Sequence, residues 1–275
     1  MSQSIDASAI THIRDLVLAQ EINQTIAESV CPAVAIPDGM KIQTLEYLES
    51  GRYRFRGKLN TASIPDFVRY CKEYETGGVR CFIDADDMSA VTIFNLGTLA
   101  DPGHADNTAA LKLRKTAPFI SLLDIDGRKK VQKELAEWLE DWREYLLAFT
   151  ADGDSMDIKK AVAGVRQITI ESVNSQDHEE NDFSGKKSLM QSVEAKSKVD
   201  MPAAFEFKCI PFEGLPERRI KLRYSILTGG DIPVLVLRIV QLEAVMESIA
   251  VEFRDLLVGQ FTDTGVETFI GKFAA

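Results

Sequence analysis

The sequence predicts an α+β fold in which mixed or antiparallel sheets pack against amphipathic helices. Strand-like runs outnumber the helices that could serve as crossovers, which argues against a doubly wound parallel sheet. Helical spacing of apolar residues is confined to a few stretches, and turn residues join several extended runs in hairpin fashion. With 275 residues, 45% hydrophobic and 27% charged, the chain can bury a sizeable core.

In chain order, Ile10, Ile13, Leu16, Val17, Ile22 and Ile26 recur at helical spacing and predict an amphipathic helix, or two short ones, from about Ala7 to Ser29. Pro32 and Pro37-Asp38-Gly39 end it, and Met40 to Tyr47 and Arg52 to Lys58 follow as two extended segments of a hairpin joined at Glu49-Ser50-Gly51. Pro65 suits a first helical turn, and Phe67, Val68, Cys71 and Tyr74 continue that helix until Gly77-Gly78. Strands are expected at Val79 to Ile83, Ala90 to Phe94 and Ala109 to Thr116. A long apolar stripe bearing Trp138 and Trp142 predicts one helix from Lys129 to Phe149, packed in the core or at a subunit contact. A further helix is expected over Met156 to Val173. From Glu171 to Asp182 there are five acidic residues and no Lys or Arg, which reads as an exposed connector. Strands at Phe205 to Ile210, Arg219 to Leu227 and Val234 to Val240, with a turn at Thr228-Gly229-Gly230-Asp231, precede a closing helix from Leu242 to Leu257, expected to cover one face of that antiparallel sheet. The expected organisation is an N-terminal α+β domain over 1–150, a helix and acidic connector over 151–185, and an antiparallel sheet with its closing helix over 186–275.

The net charge of -10 and pI near 5.0 oppose a surface that coats nucleic acid. No apolar run approaches the roughly 20 residues of a membrane span, and Met1 to Asp6 lacks the character of a secretory signal, so the cytoplasm is the expected location and no membrane partner is expected. Cys31, Cys71, Cys81 and Cys209 form no Cys-x-x-Cys pair and read as buried free thiols. The chain has neither a nucleophile elbow nor a dinucleotide-binding turn. Gly265 to Lys272 fails as a phosphate loop because five residues separate its glycines and Phe273 stands where a hydroxyl would hold magnesium. No cofactor is called for.

Positive charge is concentrated locally. Between Lys41 and Arg80 eight Lys or Arg stand against five Asp or Glu. Arg52, Arg54, Arg56 and Lys58 occupy alternate positions, so in a strand they would share one face while Tyr53 and Phe55 turned inward. Two further clusters contain Lys112 and Arg114, and Arg219, Lys221 and Arg223. Each fits the edge or solvent face of a strand, a subunit contact, or an anion site for a nucleotide or single-stranded nucleic acid. A different chemistry is offered by Asp84, Asp86 and Asp87 with His104 and Asp106, an oxygen-rich set that could hold magnesium or manganese for phosphoryl transfer or hydrolysis. Asp is also common in turns because it bonds its own backbone.

The succession Thr44-Leu45-Glu46-Tyr47, Arg54-Phe55-Arg56-Gly57, Ile64 to Tyr70, Asp101-Pro102-Gly103-His104-Ala105-Asp106 and Lys133 to Glu140 resembles the YfdQ-like family of bacteriophage and prophage proteins. Phe205 to Phe212 and Arg219 to Tyr224 extend the likeness over most of the chain after Pro37. The resemblance implies a phage-encoded accessory protein in the cytoplasm of a bacterial host, and it supplies no catalytic residues. The expected function is therefore non-enzymatic: a homo-oligomer that binds or assembles with a host or phage component. The alternatives are a metal-dependent enzyme acting on nucleotides or nucleic acid, and a protein that sequesters a nucleotide defence signal.

Overall fold

The computed structural model describes residues 7–28, 50–52, 54–168, 201–227 and 233–274. They fall into two units, Met1–Phe55 and Arg56–Ala275. In the first, α1 spans Ala7–Glu28, as the apolar spacing predicts, and Ile10, Ile13, Leu16 and Val17 are exposed along it. The expected strand at Met40 to Tyr47 lies outside the described residues, as do Tyr53, the acidic connector and the turn after Leu227.

The second unit contains two sheets and shows an α+β architecture. β1 (Gly57–Thr61), β2 (Val79–Asp84), β3 (Ser89–Ile93), β4 (Asn107–Lys112) and a late strand form the first sheet, in the order β1-β4-β3-β2 followed by that strand. β1 runs parallel to β4, whereas β4, β3 and β2 are antiparallel neighbours. The strand predicted from Arg52 to Lys58 begins only at Gly57, so the alternation rule does not apply to Arg52, Arg54 and Arg56. Phe55, expected to turn inward, is 58% exposed.

α2 (Ile64–Glu73) follows β1 because Ser63 caps it: its Oγ accepts the Asp66 N–H at 3.3 Å, with Pro65 in the first turn. Its Ile64, Phe67, Val68 and Cys71 are buried.

The second sheet draws on the region predicted to be one long helix. α3 (Ala117–Ile125), capped by Thr116, leads to β5 (Lys129–Lys130) and then α4 (Gln132–Asp141). A 3-10 turn at Arg143–Tyr145 follows, and the chain becomes β6 (Leu146–Phe149). The helical stripe is cut short because Leu146 and Ala148 pair opposite Phe207 and Phe205, and this pairing overrides local periodicity. Trp138 and Tyr145 stack on Phe207, with ring centroids 5.8 and 5.6 Å away. β7 (Ser155–Met156) then precedes α5 (Ile158–Arg166), where Asp157 Oδ1 accepts the Lys159 N–H at 2.7 Å. The helix expected from Met156 thus starts later, after a short strand.

β8 (Ala204–Cys209), β9 (Arg218–Leu227) and β10 (Val234–Ile239) complete the antiparallel order β5-β10-β9-β8-β6-β7. Its inner face carries Phe205, Phe207, Ile220, Leu222, Leu235 and Leu237, all buried. α3 and α4 pack on this side, the latter bound to α5 by the Glu140–Arg166 ion pair at 2.9 Å.

α6 (Leu242–Phe261) returns the chain to the first sheet, where β11 (Val266–Ile270) pairs parallel to β2. Strands from both sides of residue 150 therefore share each sheet. Phe253, Leu257 and Phe261 of α6 are buried, and Phe261 meets Phe67 of α2 edge-on at 6.2 Å. Arg218 ties α6 to β9: its guanidinium donates to Glu252 Oε2 at 2.7 Å and to Ser248 Oγ at 2.9 Å.

Candidate functional site

The second sheet buries one face and exposes the other, so strand alternation sorts the β9 cluster. Ile220, Leu222 and Tyr224 turn to the core, and Arg219, Lys221 and Arg223 turn to solvent. Register brings more cations to the same side. Lys208 of β8 lies directly opposite Arg219, and Arg238 of β10 lies directly opposite Arg223. Directly opposed residues have Cβ atoms about 4.5–5.5 Å apart, and like charges in that position destabilise a sheet. Two such pairs therefore stand on the exposed face of central strands, in a chain whose net charge is -10.

Compensation on this face is partial. Lys208 meets Glu217 at 2.8 Å, and Lys221 lies opposite Glu206. Among the described residues no carboxylate lies within ion-pairing distance of Arg219 or Arg238. The aromatic side chains of β8 and β9 point the other way, into the core, so this surface offers charge and hydrogen-bond donors without rings among them. Such a face can hold carboxylates or phosphates but has little with which to stack bases.

The other predicted cations are dispersed. Arg52 is exposed and Arg54 half-buried in the first unit; in the second, Arg56 is half-buried and precedes β1, and Lys58 is exposed on it. Lys112 ends β4 and pairs with Asp87 at 3.4 Å, whereas Arg114 lies beyond the strand. Lys208 and Arg238 join this surface through strand register, which the sequence does not fix: Leu227 pairs opposite Val234 and so sets residue 238 opposite residue 223, whereas a hairpin closed tightly around the predicted turn at 228–231 would set residue 236 there.

The predicted oxygen cluster is divided between two places. Asp84 and Asp87 are held by Lys272, whose Nζ lies 3.0 and 3.1 Å from their carboxylates. Hydrogen bonding to Lys272, together with the charge of Lys112, holds the Asp87 carboxyl below its ordinary value. Asp86 borders an open groove of about 530 Å3 with Met88, Glu243, Met246 and Glu247. His104 is exposed on the loop between β3 and β4, where Asp106 instead accepts a hydrogen bond from Asn95 Nδ2 at 2.8 Å. Among the described residues no three His, Cys, Asp or Glu side chains converge as metal ligands. Cys71, Cys81 and Cys209 are buried free thiols, pushed up by burial to about 11, 12 and 11.

Fold and surface together define an α+β protein whose second sheet exposes a cationic face. Among the described residues no helix is long and apolar enough to cross a membrane. The chain belongs to the family of uncharacterized conserved proteins DUF2303, whose model matches residues 6–273. Neither a curated protein nor a solved structure matches it.

Proposed function

We propose that this chain is a non-enzymatic accessory protein of a phage or prophage, which forms a homo-oligomer and captures an acidic host or phage protein on the outer face of its second sheet. The observation that carries the binding role is the set of exposed cations that register gathers on this face, Lys208, Arg219, Lys221, Arg223 and Arg238, of which Arg219 and Arg238 have no carboxylate within ion-pairing distance among the described residues. Cations gathered in this way favour an anionic partner. The phage assignment is supported by the sequence resemblance to the YfdQ-like family. An acidic protein fits better than single-stranded nucleic acid because the aromatic side chains of β8 and β9 turn into the core, which leaves the cations without rings to stack bases.

The test is a fluorescence-anisotropy titration with a labelled poly-glutamate peptide and, separately, a single-stranded oligonucleotide of similar charge. The peptide is expected to bind, to weaken as salt rises, and to lose at least about tenfold in affinity in the Arg219→Glu/Lys221→Glu variant. Peptide binding unchanged by the double reversal, or an oligonucleotide bound more tightly than the peptide, overturns the acidic-protein reading.

A further inference from the structure

We propose that the loop between β3 and β4 is a docking finger, which seats Leu99 in the groove along α2 of a second copy of this chain. The inference rests on the homo-oligomer reading above and assigns it a contact.

The finger is built from its backbone outward. At the base, the Asn95 carbonyl accepts the Ala105 N–H at 3.1 Å, Asn95 Oδ1 accepts the Asn107 N–H at 3.0 Å, and Asn95 Nδ2 donates to Asp106 Oδ1 at 2.8 Å. Nearer the tip, the Gly103 N–H donates to the Leu96 carbonyl at 3.0 Å and the Thr98 N–H to the Asp101 carbonyl at 2.8 Å, while Thr98 Oγ1 accepts the Asp101 N–H at 3.0 Å. Gly97 and Pro102 bridge across the hairpin. Its two sides approach so closely that a Cβ on Gly97 would collide with the Asp101 carbonyl oxygen, and one on Gly103 with that of Asn95. Ala105 is held at φ 51°, a left-handed conformation that an L-residue adopts only when its surroundings impose it.

This framework holds out Leu99, the most exposed large apolar side chain among the described residues. Single exposed leucines are ordinary on a protein surface, but this one stands on a loop tied across its base. Such a tip loses little conformational entropy when it is covered.

α2 offers a recess of matching character. Ile64, Pro65 and Val68 line an open groove of about 430 Å3, with Arg69, Lys72 and Gln260 of α6 as its polar walls. That is room for a leucine side chain and the residues beside it.

Charge selects the occupant. Asp101, beside the tip of the finger, is exposed, and among the described residues no cation lies within ion-pairing distance of it. In the groove, Arg69 is bound to Asp66 at 2.7 Å, whereas Lys72 has no carboxylate within that distance among the described residues. The finger thus carries an apolar tip beside an unpaired carboxylate, and the groove an apolar lining beside an unpaired ammonium. From Asn95 to Asp106 there is no Lys or Arg, so a phosphate backbone finds nothing to hold it there. Finger and groove are different surfaces of one chain, so each copy gives one and receives one, and the contact closes into a ring or continues as an open chain.

A charge swap read by light scattering coupled to size exclusion, over a dilution series, tests the contact. The wild-type chain is expected to run as a multiple of 30.6 kDa. Leu99→Asp is expected to raise the concentration needed for assembly at least about tenfold and to leave the melting curve unchanged, because Leu99 packs against nothing in its own chain. Asp101→Lys, which spares the backbone bonds of the loop, and Lys72→Glu are each expected to weaken assembly by about fivefold, and the two together to restore it to within about twofold of wild type. Assembly unchanged by Leu99→Asp, or no recovery in the double swap, overturns the finger-in-groove contact and leaves the homo-oligomer reading standing. Loss with Leu99→Asp but none with Lys72→Glu seats the finger elsewhere and overturns the groove. A wild-type monomer at every concentration overturns both readings.

Discussion

At the scale of single residues, Tyr224 stands out on the inner face of the second sheet. It is buried, and among the described residues its hydroxyl has no hydrogen-bond partner. Burial alone pushes the phenol well above its ordinary value of 10.0, so it stays neutral at any physiological pH. Its ring packs edge-on against Phe205 at 6.0 Å, a contact that phenylalanine can reproduce. Leaving a buried hydroxyl unsatisfied costs about 1–3 kcal/mol, so Tyr224→Phe is expected to stabilise the protein by about 1 kcal/mol in urea denaturation. A loss of stability would mean that the hydroxyl has a partner under native conditions. Arg218 makes the contrasting point, because its inward guanidinium is fully engaged by Glu252 and Ser248, whereas its neighbour Arg219 faces solvent. One step along a strand separates a structural arginine from a candidate binding one.

Among the elements, β11 and the segment after it illustrate how charge anchors an edge strand. Lys272 lies between Asp84 and Asp87, and hydrogen bonding to Asp84 raises its ammonium above the ordinary 10.5 while Asp87 is lowered below 3.8. The lowered carboxyl contributes stability that is present above 3.8 and is lost as pH falls through its folded-state value. The raised ammonium contributes below 10.5, and its share is lost as pH rises through its own folded-state value. Phe273 follows Lys272 and stacks on Phe82 with ring centroids 4.7 Å apart, so its ring-current shifts are expected to hold steady through neutral pH and to change below 3.8. Lys272→Met should remove that acid response, and an identical acid response in the variant would sink the assignment. β11 also marks a limit of sequence reading, since a short alternating run gives no hint that its partner is β2, far away in the chain. α2, β2, β9, β10 and α6 were legible because capping, alternation or helical spacing agreed with their tertiary partners. The run from Lys129 to Phe149 departs from the single helix its periodicity predicts, because its apolar residues satisfy a helical period even where Leu146 and Ala148 pair with β8. In the candidate site, Arg219, Lys221 and Arg223 were visible as an alternation, but their like-charged neighbours emerge only when three strands are laid in register.

At the scale of the whole molecule, an acidic chain gathers cations without accompanying rings on one sheet face. This gathering predicts a trade between stability and binding. Arg238 has no carboxylate within ion-pairing distance among the described residues and stands on a face with Arg219, Lys221 and Arg223, so Arg238→Gln is expected to thin that positive field and raise Tm slightly, by about 1 °C, at low salt. The gain should shrink as salt rises, because exposed charges are screened within a Debye length of about 8 Å under physiological conditions. In the same variant, affinity for the poly-glutamate peptide should fall, since Arg238 is one of the exposed cations an anionic partner would neutralise. Melting curves and anisotropy titrations on the same samples decide the matter. A variant that is both less stable and equally able to bind would show that Arg238 stabilises the sheet and takes no part in recognition.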